Sequence, residues 1–146
     1  MIHPFGRATL RIMKKLLSTR PIANDFALLL LRLIPFGFLL KHGWGKFQDL
    51  VAGGSYEFYN FMGLGDGVSL ALAVVGEFIC PLLILLGLLT RPAAIPVIIT
   101  MLVAAFGAHA DSPLGKGEHA LLFGAAALVL FFTGPGKYSV DKVIFK

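Results

Sequence analysis

The chain reads as an all-α, polytopic membrane protein, a four-helix bundle with both termini cytoplasmic, and three features of its sequence say so. Hydrophobic residues make up 57% of its 146 positions and charged residues only 14%, where an ordinary soluble domain carries about 25% charge. Mean hydropathy is +0.82. Four apolar runs can be drawn, at about residues 26–47, 68–89, 93–110 and 118–133, and a helix needs about 20 such residues to cross the hydrocarbon core. Little chain is left over for a separate soluble domain.

Residues 1–24 form a basic segment ahead of the membrane domain at 25–146. Leu10, Met13 and Leu17 recur at helical spacing, with Arg7, Arg11, Lys14 and Lys15 on the other face. This pattern predicts an amphipathic helix on the inner leaflet, the alternative being a disordered basic tail. Together with the next apolar run it imitates a signal peptide, but Arg32 interrupts that run and no small-residue cleavage site follows, so the segment is expected to be retained.

The first span has Asn24 or Asp25 as a candidate cap and carries Arg32, Pro35, His42 and Lys46. At about 100° per residue, Arg32, His42 and Lys46 share an arc of about 80°, with Lys41 opposite, so their stripe should face the bundle. The connection Gln48–Gly67 is rich in aromatics: Tyr56, Phe58, Tyr59 and Phe61. Ser55 is placed to cap a short helix ending at Gly63, either as an interfacial anchor or as a lid over a site opening outward.

In the second span Glu77 is the lone charge. The short turn Leu88–Pro92 makes spans two and three antiparallel neighbours. Ala104, Ala105, Gly107 and Ala108 on span three, and Ala120, Gly124 and Ala127 on span four, suit close helix packing. Span four stops at Gly134-Pro135. Its purely apolar part is short, about 21 Å at 1.5 Å per residue, which draws Glu118 and His119 toward the bilayer.

Lys and Arg concentrate in the N-terminal segment, at Arg91 and in the tail with Lys137, Lys142 and Lys146, which by the positive-inside rule puts both termini in the cytoplasm. The net charge of +5 therefore reads as topology and contact with anionic lipid, not nucleic-acid binding. Cys80 is the single cysteine, so an internal disulfide or two-thiol redox cycle is excluded.

An acidic residue at a helix centre in lipid costs about 2.5 kcal/mol or more, so Glu77 needs a partner. Counting rise from the inner end of each span, Arg32 lies about 9 Å, Glu77 about 18 Å and His42 about 24 Å from the inner boundary. Arg32 from below or His42 from above are the expected partners. Pro81 removes the donor for the Glu77 carbonyl and Pro35 the donor for that of Leu31, which predicts a polar cavity at those levels. Glu77 and His42 are accordingly the candidate proton relay. Arg32, Lys46, His109, Glu118 and His119 are candidates to hold a quinone or an anionic substrate. Against these stand a purely structural Arg32–Glu77 pair and a Lys46 that only reaches for headgroups. No compact metal motif or phosphate loop is present, and no metal site is expected.

The order of L-L-L-R-L at Leu29–Leu33, H-G-W-G-K at His42–Lys46, G-E at Gly76–Glu77, L-L-G-L-L-T-R at Leu85–Arg91 and G-P-G-K-Y-S-V-D at Gly134–Asp141 resembles the DoxX family of small four-helix membrane proteins, across Asp25–Asp141. Its family-like polar residues are Arg32, His42, Lys46 and Glu77, with His109 and Glu118 corresponding less closely. The resemblance implies a multi-pass protein of the bacterial inner membrane, associated with a quinone-linked oxidoreductase or a thiol and oxidative-stress complex. Quinone is the cofactor it implies, in a polar pocket open to the outer side. No haem, flavin or iron–sulfur signature is present, so electrons would come from protein partners in a membrane complex. Whether the chain is itself an enzyme, and whether it forms a homo-oligomer, stay open. A non-catalytic assembly subunit and a small proton-coupled transporter are the alternatives; the latter lacks an inverted repeat and would have to oligomerise.

Overall fold

The structure, a computed structural model, describes residues 23–53 and 57–145; the basic amphipathic segment and the Ser55 cap expected above lie outside them. Helix α1 spans Asn24–Ala52, α2 Asp66–Leu86 and α3 Thr90–Ala108, α4 Glu118–Thr133 and the short α5 Val140–Ile144. Where a short helix ending at Gly63 was expected there is one 3₁₀ turn, Phe61–Gly63. The first three are long and apolar enough to cross a membrane, and α4 is a shorter apolar helix. They run alternately up and down, α1 packing on α2 and α4, and α3 on the same two, which closes a ring in chain order. In the core Phe36, Leu39, Ile84, Val97, Ala127 and Leu130 are buried, while Phe38, Phe106 and Phe132 point outward, as lipid-facing residues do in a helical membrane protein.

Helix α1 runs past Phe47 to Ala52, and its start is not capped by Asn24 or Asp25. Ala23 holds the N-cap position without a side-chain bond. Asp25 is turned instead to the other end of the chain, where its carboxylate accepts from the Lys137 backbone N–H at 3.1 Å and pairs with Lys137 Nζ at 3.2 Å. The helix start and the C-terminal segment thus share one end of the bundle, the terminal end.

Between α2 and α3 the chain reverses through Gly87, which is left-handed at φ 68°. The Gly87 and Leu88 N–H groups return to Ile84 and Leu83 O, closing α2 in a Schellman pattern. The open N-terminus of α3 is closed by a residue far along the chain. The Asp141 carboxylate accepts from Leu89 N–H at 2.6 Å and Thr90 N–H at 2.9 Å, satisfying donors that a helix start leaves free. Asp141→Ala is expected to cost about 1 kcal/mol, the usual loss of an N-cap, read as a lowered midpoint in reversible SDS unfolding; an unchanged midpoint would mean water replaces the carboxylate at no cost.

Only part of the small-residue pattern of spans three and four meets: Gly124 lies against Met101 and Gly117 against Ala105, whereas Gly107 lies against Tyr59. Ala105 and Ala127 are fully buried, and a β-carbon on Gly124 would sit 3.3 Å from Met101 Cβ. Close backbone approach of this kind holds helices together where lipid offers no hydrophobic drive. Two turns of π-helix interrupt the α-geometry, Val75–Ile79 in α2 and Ala104–Ala108 in α3. Single π turns recur at functional sites because they widen the helix and re-aim side chains; Glu77 stands in the first.

Candidate functional site

Gly43 decides what Glu77 meets. A β-carbon on Gly43 would lie 2.2 Å from the Glu77 carbonyl oxygen, so only glycine lets α1 press its backbone against α2 at that level. Lys46 is three residues further along the same helix face, and side chains on a helix lean toward its N-terminus. The lysine therefore folds back to the level of Gly43, and Lys46 Nζ reaches Glu77 Oε1 at 2.5 Å. The Glu77 side chain is 7% exposed and that of Lys46 31%. Counting from Asp66, Glu77 is about 16 Å into α2 at 1.5 Å per residue, near mid-bilayer.

The same wall opens into a cavity of 510 Å³ between α2 and α3, lined by Lys46 and Glu77 at one side and His109 at another. Its remaining surface is mainly apolar, with Leu72, Val75, Pro96, Ile99 and Val103 among the lining residues. Phe58, Tyr59 and Phe61 cover it from the α1–α2 connection, and the Phe58 ring lies 5.5 Å from Lys46 Nζ. The pocket is thus an apolar chamber with one ion pair, not the polar pocket expected from the prolines. Gly76 adds a second close approach: its β-carbon would collide with the Thr100 hydroxyl, so α3 is drawn against α2 along the cavity's back wall.

Three of the seven residues singled out in the sequence come together here: Glu77, Lys46 and His109. The expected partners of Glu77 do not. Arg32 is buried at the terminal end, donating from Nη1 to Pro135 O at 2.9 Å and from Nη2 to Tyr138 O at 2.7 Å, with Leu85 O at 3.5 Å. It is about 16 Å below Gly43, eleven residues at 1.5 Å each, too far to reach the carboxylate. His42 is one residue from Gly43 and so turned about 100° from its face; its ring is exposed and 6.3 Å from Phe123 of α4. Glu118 and His119 are exposed at the start of α4, 3.9 Å apart, and do not line the cavity. In the neighbouring loop Lys116 binds Asp111 at 2.6 Å and holds that carboxyl below its usual range.

Sequence reasoning missed Thr100, Ser69 and the two glycines as builders of the site. The signal was present in H-G-W-G-K and G-E, where a glycine stands beside or three residues before each ionic group. Among the described residues no group of three His, Cys, Asp or Glu side chains is placed to hold a metal ion.

A multi-pass helical bundle with a lipophilic chamber around a buried lysine–carboxylate pair is the class of membrane protein that this fold and site define. The sequence profile of DoxX matches residues 27–110. Inner membrane protein YqjF of Escherichia coli K12 is 31% identical over 129 residues, covering 84% of this chain and 95% of its own. An uncharacterized protein of Haemophilus influenzae is 30% identical over 133 residues, covering 84% and 94%. No solved structure matches significantly. The chain belongs to the DoxX family.

Proposed function

We propose that this protein is a redox-associated subunit of the bacterial inner membrane whose pocket takes a quinone, with electrons supplied by a partner protein. The observation that carries this reading is the 510 Å³ chamber with apolar walls and a single lysine–carboxylate pair. Ligand sites fall at about 300–1,000 Å³, mostly apolar with a few placed polar groups. The name of the Escherichia coli relative supports the inner membrane, and the Lys and Arg distribution supports cytoplasmic termini.

In this reading Lys46 donates a hydrogen bond to a ring oxygen, and Glu77 orients Lys46 and passes protons to the reduced ring. His109 takes the place of His42 as the third polar group. Two-electron reduction of a quinone consumes two protons, which is the chemistry the ligand brings. The transporter reading gains no support, because the C-terminal segment is tied across the terminal end by Arg32, Asp25 and Asp141. The assembly-subunit reading has one observation in its favour: the buried Arg32 guanidinium donates to backbone carbonyls of the C-terminal segment.

Decylubiquinone titrated into the protein in nanodiscs tests the proposal. Binding is expected, and Val103→Trp, which fills the chamber from the α3 side, should weaken it by about tenfold or more, about 1.4 kcal/mol, with the elution profile unchanged. No binding to the parent protein, or equal binding to the variant, would turn the reading toward an assembly subunit.

A further inference from the structure

The pocket has a pinned cover at one end and an apolar flank. The cover is the segment Phe58–Leu64. Phe58 lies over Lys46 of α1, and the Phe61 N–H donates to Ser69 Oγ of α2 at 3.0 Å, which donates in turn to Gly65 O at 2.7 Å. Tyr59 packs on α3 so closely that a β-carbon at Gly107 would be 2.8 Å from its hydroxyl oxygen. The segment therefore touches three helices, at the end of the bundle where water would otherwise enter.

The flank is different. Leu72, Val75 and Ile99 line the cavity and are 46%, 38% and 54% exposed. They lie about 9–14 Å from the far ends of α2 and α3 at 1.5 Å per residue, at a depth where the outside is hydrocarbon. A charged solute meets an aromatic cover at one face and lipid at the other, and either costs it its hydration. An amphiphile dissolved in the bilayer meets only movable apolar side chains.

We infer that the ligand enters sideways from the lipid, through the slot between α2 and α3, and that Phe58–Leu64 is a lid shutting the chamber off from water at the far end. The occupant is a membrane-dissolved amphiphile whose polar head reaches the Lys46–Glu77 pair and whose tail stays in the slot. This rests on the pocket being a ligand site, as proposed above, and not on the ligand being a quinone.

The route is read by labelling Ala104→Cys, in the chamber wall, in a Cys80→Ser background in nanodiscs. N-pyrenylmaleimide, which partitions into lipid, should react, while a quaternary-ammonium methanethiosulfonate should be slower by about tenfold or more than at Leu114→Cys, an exposed loop control. Tyr59→Ala should raise the charged reagent's rate by about tenfold, and Ile99→Trp should slow the pyrenyl reagent by about fivefold. The inference is overturned if the charged reagent reaches Ala104→Cys as fast as the control while Tyr59 is intact, or if Ile99→Trp leaves the pyrenyl rate unchanged. Rates as expected together with no decylubiquinone binding would keep the lateral route and lid and remove the quinone.

Discussion

Arg32→Met is expected to lower the stability of the bundle by about 3 kcal/mol, since two partly buried carbonyls lose their donor and each unsatisfied group costs about 1–3 kcal/mol. The carbonyls are those of Pro135 and Tyr138, in the segment after α4 that has no regular structure of its own until α5. Nothing else among the described side chains is placed to bond both, because the guanidinium fork enters through the gap left by Gly87, where a β-carbon would lie 2.6 Å from Arg32 Nη1. The loss should spread beyond the arginine: once the segment lifts, Asp141 leaves the start of α3 and Lys137 leaves Asp25. Arg32→Lys keeps the charge but not the planar fork, so it should recover less than half of the lost stability. Reversible SDS unfolding in mixed micelles measures both variants. A loss below about 1 kcal/mol for Arg32→Met would show that water or detergent satisfies these carbonyls as well as the arginine does.

Lys46→Met should cost about as much, roughly 3–5 kcal/mol, because it leaves a buried carboxylate without its cation. The two partners are unequal, and their exposure tells which way. With its side chain 31% exposed, Lys46 can swing toward the headgroups when Glu77 is removed, whereas Glu77 at 7% has no such exit. Glu77→Gln should therefore cost only about 1 kcal/mol, and adding it to Lys46→Met should restore most of what the single lysine change loses. A double-mutant cycle in the same unfolding assay reads the coupling directly. Equal costs for the two single changes, or no rescue in the double, would mean that the pair is not the unit that stabilises this part of the bundle.

Both predictions concern charges that the sequence had marked, yet it had coupled them to the wrong partners. Arg32 and Glu77 pair in the sequence because they are opposite charges on neighbouring spans and a long arginine could rise to the level of the carboxylate. The C-terminal segment, returning across the terminal end after α4, supplied Arg32 with carbonyls that no helix periodicity announces. His42 was matched to Glu77 by height, but at about 100° per residue its neighbour Gly43 takes the contact face, and Lys46 shares that face. The aromatic cover behaves similarly: its aromatics are legible in the sequence as a cluster, while the spacing of Gly107, the glycine that admits Tyr59, marks it only for helix packing.

Four apolar stretches, their Gly and Pro stops, the small-residue faces of α3 and α4 and the expense of Glu77 were all determined by the sequence itself. Each depends on transfer free energy or backbone freedom, which act on a residue and its near neighbours along one helix. The choice of Lys46 over Arg32 or His42, the apolar chamber and its aromatic cover were decided only by the tertiary structure. Their physical cause is the rotation and offset of one helix against another, fixed where glycines at 43, 76 and 107 let neighbouring groups come within contact distance, and a shift of a single residue there moves a side chain by 1.5 Å and 100°.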